Sequence, residues 1–477
     1  MRSCHAAVPP TSPTIATVMT ELEAFIAVRK ADPSPCSDIG EFERELQARV
    51  LAVQREVLAA ELAKFDVDAP VVVIDGTPHR RVLRCEQTYW GVAGPMQVKR
   101  SLYSTRDGEP ARCPMELRAG IVDGRWSPWA AQRAAWVVAH LTPQDGEALF
   151  QQLGGLAPSK SSLDRLPKAL SERWEAGRIE WEDALRSQEV VPPEAVAVAV
   201  SLDGVLVPMK DGGRARKREQ SRSNGKQTKG PAGYCEAGCG TLSYYDRDGE
   251  RLATIRFARM PEQKKATLKE MLTAELGHVL SQRPGLTLVK VADGARDNWD
   301  YLGRELPDGI EVVDFYHAVE HLRVALIEAY GETSSKGLAQ FEKLRHVLLE
   351  DQFGVDKVIR ALRHLRDSHP NRKRIQTELK YFRRYRDRMR YADIKAANLP
   401  IGSGVTEAAC KTLVTQRLKR SGMRWGDDGG QAVLTLRSLL QSGRFDRGWA
   451  LLLETYRARV TLPANVVEFR SGTGVSA

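Results

Sequence analysis

The stretch that decides the fold is Thr287–Leu322, TLVKVADGARDNWDYLGRELPDGIEVVDFYHAVEHL. At its start Leu286, Leu288, Val289, Val291 and Ala292 form an almost continuous apolar run, which Asp293-Gly294 closes. A continuous run, rather than an alternating one, marks a strand covered on both faces. Val312 and Val313 lead into Asp314 in the same way, and Phe315-Tyr316-His317 opens a helix directly behind it. Acids at the carboxyl ends of two short buried strands stand where open α/β sheets put their chemistry.

Upstream, Ala195–Asp203 (AVAVAVSLD) is a further continuous apolar strand, closed by Asp203-Gly204. Thr241–Tyr245 and Leu252–Phe257 form a hairpin around Asp246-Arg247-Asp248-Gly249. Glu262–Gln282 is a helix with Leu268, Met271, Leu272 and Leu276 on one face. The order strand, hairpin strands, helix, strand, helix, strand, helix predicts a mixed α/β sheet with helices packed on it. From Val319 to about Asn398 the pattern is all helical and highly charged. The segment LPIGSGVTEAACKTLVTQRLKRSGMRW, Leu399–Trp425, then feeds a helix through Gly402-Ser403-Gly404 and carries Glu407 near its start.

The N-terminal half reads differently. Glu41–Asp66 is an amphipathic helix, Ala69–Ile74 a strand, and Arg80–Arg106 a small antiparallel β module. Pro128–Gly154 is a helix pair, and GGLAPSKSSLDRLPKALSERW (Gly154–Trp174) supplies the glycine turn and second helix of a helix-turn-helix outline. Plain helical packing explains that outline as well. Val190-Val191-Pro192-Pro193 marks a linker. The expected organisation is a disordered extension over 1–40, the N-terminal region over 41–190 and a core over 195–320. A helical insertion over 321–399, the rest of the core over 400–450 and a C-terminal tail over 451–477 follow.

A chain of 477 residues has room for two to four such domains. Its net charge of +10 favours a polyanionic partner. Asp211–Gly230 holds seven Lys or Arg against two acids, and Asn371–Arg390 nine against two. In the second run Tyr381, Phe382, Tyr385 and Tyr391 interleave with the arginines, which fits a helix lying on a DNA backbone. Seven scattered cysteines argue for a reducing compartment, and Cys235 and Cys239 read as free core thiols rather than half a zinc site. No run of eighteen apolar residues and no signal-peptide core occur, so a cytoplasmic protein without a membrane partner is expected. No GxxxxGK[ST] loop occurs either, so no nucleotide-driven step is expected.

Asp203, Asp293 and Glu407 lie 90 and 114 residues apart, at two strand ends and in a helix's first turn. Three carboxylates with little else are a hard, all-oxygen donor set suited to Mg2+ or Mn2+. Two such ions about 4 Å apart activate a hydroxyl and stabilise the leaving oxygen in an attack on phosphorus. The competing reading makes Asp203-Gly204 and Asp293-Gly294 turns that end strands.

The segments VSLDGVLVPMKDG, GTLSYYDRDGERLATIRFARMPEQKKATLK, VKVADGARDNWDYL, VVDFYHAVEHL and GSGVTEAACKTLVTQRLKRSGMRW resemble the ISKra-type insertion-sequence transposases, relatives of the Mutator and hAT groups of DDE enzymes. The resemblance covers roughly Ala195–Trp449. It implies a ribonuclease H-like core, a mixed five-stranded sheet with flanking helices, interrupted by an all-helical insertion before the last acid. It also implies Asp203, Asp293 and Glu407 as catalytic acids and ligands of two Mg2+ or Mn2+ ions, acting on terminal inverted repeats and target DNA as a homodimer or higher oligomer. Asp314 and His317 match a pair that in such enzymes sits beside the active site and supports DNA handling and strand cleavage, and that is not usually a metal ligand.

Two rival readings remain open. His317-Ala-Val-Glu320-His321 spells HxxEH, the inverted zinc-peptidase motif. A transposase-derived DNA-binding protein without catalysis is the other. Beyond Glu407, Lys411, Arg417, Lys419, Arg420 and Arg424 suggest a phosphate-facing stripe, with Trp425 able to stack on a base. Trp299 reads as core.

Overall fold

The computed structural model describes residues 14–105, 109–210, 233–464 and 466. The basic run Asp211–Gly230 and the tail from Ser471 lie outside the described residues. The chain forms two compact units, Met1–Ala176 with Asp446–Ala477, and Gly177–Phe445.

The second unit is built on a five-stranded mixed sheet. Its strands are β4 (Ala197–Pro208), β5 (Tyr234–Tyr245), β6 (Arg251–Arg259), β7 (Thr287–Ala292) and β8 (Ile310–Val313), ordered β6-β5-β4-β7-β8. β6, β5 and β4 are antiparallel neighbours; β7 and β8 join parallel to β4. Parallel neighbours need crossovers, and the helices α7 (Ala266–Gln282) and α8 (Arg296–Arg304) provide them. Val198, Val200, Val289, Val291, Val312 and Val313 are all buried in one cluster with Leu268, Leu272 and Leu276 of α7. Coverage of both sheet faces explains why these strands read as apolar runs.

One feature of the sequence reading changes here. β4 does not stop at Asp203 but runs on to Pro208, because β5 pairs with it along its whole length, as far as Pro208↔Tyr234. The parallel partner β7 leaves after Ser201↔Val291. Asp203 therefore sits where β4 loses one neighbour and keeps the other.

Beyond β8 the chain is helical: α9 (Phe315–Tyr330), α10 (Ser335–Glu350), α11 (Gly354–Ser368), α12 (Lys373–Arg384) and α13 (Tyr391–Ala396). The apolar faces of these helices, Leu322, Leu326, Leu348, Leu362, Leu379 and Phe382 among them, extend the same core. α14 (Gly404–Ala409) then continues without a break through a π-helical turn, Cys410–Thr415, into α15 (Gln416–Leu418). With α16 (Asp427–Gln441) these elements form a separate cluster in which Leu413, Val414 and Leu434 meet Val207, Ala237 and Ala258 of the sheet.

The first unit contains α1 (Ile15–Ala31), α2 (Ile39–Ala63), α3 (Pro114–Ala119), α4 (Pro128–His140), α5 (Pro143–Leu153) and the start of α6 (Lys160–Ser187). A β module of β1 (Val71–Ile74), β2 (Thr77–Gly91) and β3 (Gly94–Ser104) takes β9 (Val460–Thr461) on its edge. Two expectations are corrected. Ile15–Ala31 is a helix capped by the Thr14 hydroxyl, not part of an unstructured extension. The described residues just after 450 are structured, since they hold the end of α17 (Phe445–Glu454) and β9, which pairs with β1. In the helix-turn-helix segment, six residues separate α5 from α6, more than the three or four of the usual turn.

Candidate active site

The pairing registers line the acids up. Ser201 pairs with Val291, so two residues further on each parallel strand stand Asp203 and Asp293. Ala292 pairs with Val313, which puts Asp314 level with Asp293. Three aspartates thus form a row across β4, β7 and β8, and α14 brings in Glu407.

Each acid is held differently. Asp293 Oδ1 accepts from the backbone N–H of Ala295 (3.0 Å) and from Asn298 Nδ2 (3.2 Å). The same buried amide also reaches the carbonyl of Leu202 (3.3 Å), which ties the first two acid-bearing strands together. Trp299 Nε1 donates to the Asp293 carbonyl (2.6 Å). Asp203 Oδ1 accepts from the N–H of Gly204 (2.7 Å), and Oδ2 faces the Cys410 thiol at 3.7 Å. Hydrogen bonding with Cys239, reinforced by burial, holds that thiol far above its usual range, so it stays a protonated donor. The π turn is the local distortion that brings Cys410 there; such turns gather at functional sites.

Asp314 is fully buried and both its oxygens are engaged. Oδ1 caps α9 through the N–H of His317 (2.6 Å), while Oδ2 accepts from the N–H and the hydroxyl of Ser403. The Ser403 hydroxyl lies 2.8 Å from Asp314 and 3.3 Å from Glu407 Oε1. Its one proton serves the nearer carboxylate. Asp314 is therefore a tether between β8 and the loop that launches Glu407. Its engaged oxygens leave little lone-pair capacity for a metal.

The carboxylates feel one another. Burial raises the Asp203 carboxyl above the usual range, and the neighbouring Asp293 charge raises it further. Burial also raises Glu407, with Asp314, Asp203 and Glu320 adding to the effect. Among the described residues no three His, Cys, Asp or Glu side chains form a group that could hold a metal ion as they stand. The donor chemistry nonetheless suits a hard cation: the acids are partly desolvated, mutually repelling and all-oxygen.

The two glycines behind the acids leave little room for a side chain. A Cβ on Gly204 would run into the Glu236 carboxylate, and one on Gly294 would lie 2.5 Å from Tyr381 Cε2. Neither glycine has a positive φ. Bare backbone is needed at both for close approach, and Gly294 also lies in the bend that Asp293 Oδ1 closes on the Ala295 N–H.

Helix α12 and the residues after it bring aromatics onto the same strand ends. The Tyr385 hydroxyl donates to the Gly294 carbonyl (2.8 Å) and the Tyr391 hydroxyl to the Val313 carbonyl (2.9 Å). The aromatics of the Asn371–Arg390 run and its edge therefore face the core and the acids, contrary to their expected place on DNA. Helical periodicity turns Arg383 and Arg384 outward. Sequence reasoning placed Tyr385 and Tyr391 on DNA and read Ser403 only as part of the loop before Glu407; Asn298 it missed, though its position just beyond Asp293 could have pointed to it.

Of the basic stripe, Lys411, Lys419, Arg420 and Arg424 are exposed. Arg417 is not on it: it is buried, with its guanidinium 5.3 Å from the Trp425 ring. Trp425 is half-buried, donates from Nε1 to the Leu418 carbonyl (2.9 Å) and bridges Met209 at the end of β4, which is a packing role. Trp299 is core, as the sequence suggests. The HxxEH residues supply two imidazoles on one face, but Glu320 is largely exposed and no third ligand joins them among the described residues.

No family model and no curated protein matches the sequence. Among solved structures, the "Drosophila P element transposase strand transfer complex" is 12% identical with a TM-score of 0.25, the match covering 69% of this chain and 81% of that chain. At that TM-score it establishes no shared fold. No helix among the described residues is long and apolar enough to cross a membrane.

Proposed function

We propose that the second unit is a ribonuclease H-like core and the chain a DDE transposase of the ISKra type. It would cut the ends of an insertion sequence and join the freed 3′-hydroxyl to target DNA. The observation that carries this reading is the register row: Asp203 and Asp293 meet on adjacent parallel strands of a β6-β5-β4-β7-β8 sheet, with Glu407 electrostatically coupled to Asp203. The sequence resemblance over Ala195–Trp449 points to the same three acids.

In this reading Asp203, Asp293 and Glu407 would hold Mg2+ or Mn2+. Bound there, the metal supplies activation of the attacking hydroxyl and neutralisation of charge at phosphorus. The chain's own residues do the rest. Asn298 and the N–H of Ala295 fix one oxygen of Asp293 and leave the other for a ligand. The tether from Asp314 to Ser403 sets the position of Glu407. The exposed cations after Glu407 lead phosphates toward the site.

The test uses the purified full chain and DNA carrying the ends of the element that encodes it. Cleavage is expected only with Mg2+ or Mn2+. Asp203→Asn, Asp293→Asn and Glu407→Gln should each lower the rate by a factor on the order of 10² or more while end binding persists. Binding without cleavage by the unaltered chain, or cleavage surviving Asp293→Asn, overturns the reading.

A further inference from the structure

Helix α4 reads PWAAQRAAWVVAH from Pro128 to His140. Ala130, Ala131, Ala134, Ala135, Val137, Val138 and Ala139 are buried and wrap more than half of its circumference. Trp129, Arg133, Trp136 and His140 stand on the line that remains, at i, i+4, i+7 and i+11, and all four are exposed. Trp129 keeps 53% of its surface open and Trp136 48%. A solvent-facing helix stripe is ordinarily charged and polar, so two indoles on this one point to a ligand.

The stripe repeats one unit twice. Arg133 lies over the Trp129 ring, its guanidinium carbon 3.9 Å from the centroid, and the His140 ring lies against Trp136 with centroids 4.3 Å apart. His140 Nδ1 donates to the Trp136 carbonyl (2.9 Å), which fixes the imidazole. Each indole is thus held by its neighbour one turn on rather than by a pocket, and its freedom is already restricted before anything binds. The two rings are seven residues apart, about 10 Å along the helix axis. No Asp or Glu occurs between Pro128 and His140, and among the described residues no acid pairs with Arg133.

Open aromatic faces beside a cation that has no acid partner match a nucleic-acid strand, whose bases stack and whose phosphates are anionic. In a duplex the base faces are hidden, so the fit is to unpaired bases. The net charge of +10 favours the same partner. We propose that the α4 stripe is a stacking platform for single-stranded nucleic acid, in which Trp129 and Trp136 each take a base and the Arg133 guanidinium takes a phosphate. The stripe belongs to the first unit, outside Ala195–Trp449. The proposal rests neither on the acid row nor on strand cleavage, and it gives the first unit a ligand of its own.

The experiment measures binding of the full chain to a labelled oligothymidylate, to an abasic strand of the same length and to a duplex, by fluorescence anisotropy. The unaltered chain should prefer the oligothymidylate to the abasic strand. Trp129→Ala and Trp136→Ala should each weaken oligothymidylate binding by about fivefold to a hundredfold, and the double variant should lose the preference. Duplex binding and, because both rings are exposed, the melting temperature should stay as they were. Trp129→Phe keeps a ring and should retain most of the affinity. Arg133→Ala should flatten the salt slope for the single strand by about 0.7, the share of one phosphate. Equal binding of the oligothymidylate and the abasic strand by the unaltered chain overturns the proposal, and so does a preference that survives in the double variant. A double variant that binds strands as before but changes mass in sedimentation makes the stripe a contact between copies, which also overturns it. A chain that never cleaves DNA leaves these outcomes as they stand, because none of them is read from cleavage.

Discussion

At the scale of single residues, the acid row stores repulsion. Asp203 is held above the usual carboxylate range chiefly by burial, with Asp293 adding to it. The folded state therefore binds a proton more tightly than the unfolded state does. Between the two pKa values the unfolded chain carries fewer protons than the folded one, so stability falls as pH rises through that window and stays reduced at neutral pH. Asp203→Asn removes the charge and keeps the shape. It should raise the melting temperature at pH 7 by a few degrees, with the gain fading as pH drops below the usual aspartate range, while abolishing cleavage. Mg2+ should raise the melting temperature of the unaltered chain and have less effect on the variant. Thermal unfolding at several pH values, with and without Mg2+, reads both effects; a variant less stable than the original at neutral pH would refute the argument.

At the scale of elements, the sheet was legible because burial on both faces leaves continuous apolar runs, and β7 and β8 end where Asp293 and Asp314 close those runs. The end of β4 was not legible. Asp203-Gly204 has the composition of a turn, and only pairing with β5 carries the strand through it. The reasons for Gly204 and Gly294 lie on Glu236 and Tyr381, far away in sequence, so no local pattern contains them. Arg417 fits a basic stripe by spacing, yet packing against Trp425 turns it inward. The same blindness to long-range pairs hid Arg444. This arginine follows α16 and makes a two-pronged pair with Glu275 of α7, at 3.0 and 2.6 Å, while its Nε reaches Glu189 at 2.8 Å. Both Arg444 and Glu275 are buried, so removing one leaves an uncompensated charge. Arg444→Met should cost about 3–5 kcal/mol in urea unfolding. Replacing Glu275 by Leu as well should recover much of that loss, and a double variant no better than the single would refute the pairing argument.

At the scale of the whole molecule, a net charge of +10 sits oddly with a site made of acids, unless the cations lie around it rather than in it. That is the arrangement on the chain beyond Glu407, where Lys411, Lys419, Arg420 and Arg424 are exposed and Arg417 is buried. A polyanion drawn to such a surface releases counterions, so its affinity falls linearly with salt on a double-logarithmic plot, by a slope of about 0.9 for each phosphate neutralised. The variant Lys419→Ala with Arg420→Ala should flatten that slope by about 1–2 and weaken binding to all DNA sequences about equally. Arg417→Ala should lower the melting temperature by packing loss and leave the slope unchanged. Fluorescence anisotropy of labelled duplexes across a salt series separates the two kinds of arginine. A slope that follows Arg417 rather than Lys419 and Arg420 would mean that DNA lies on another face of this unit.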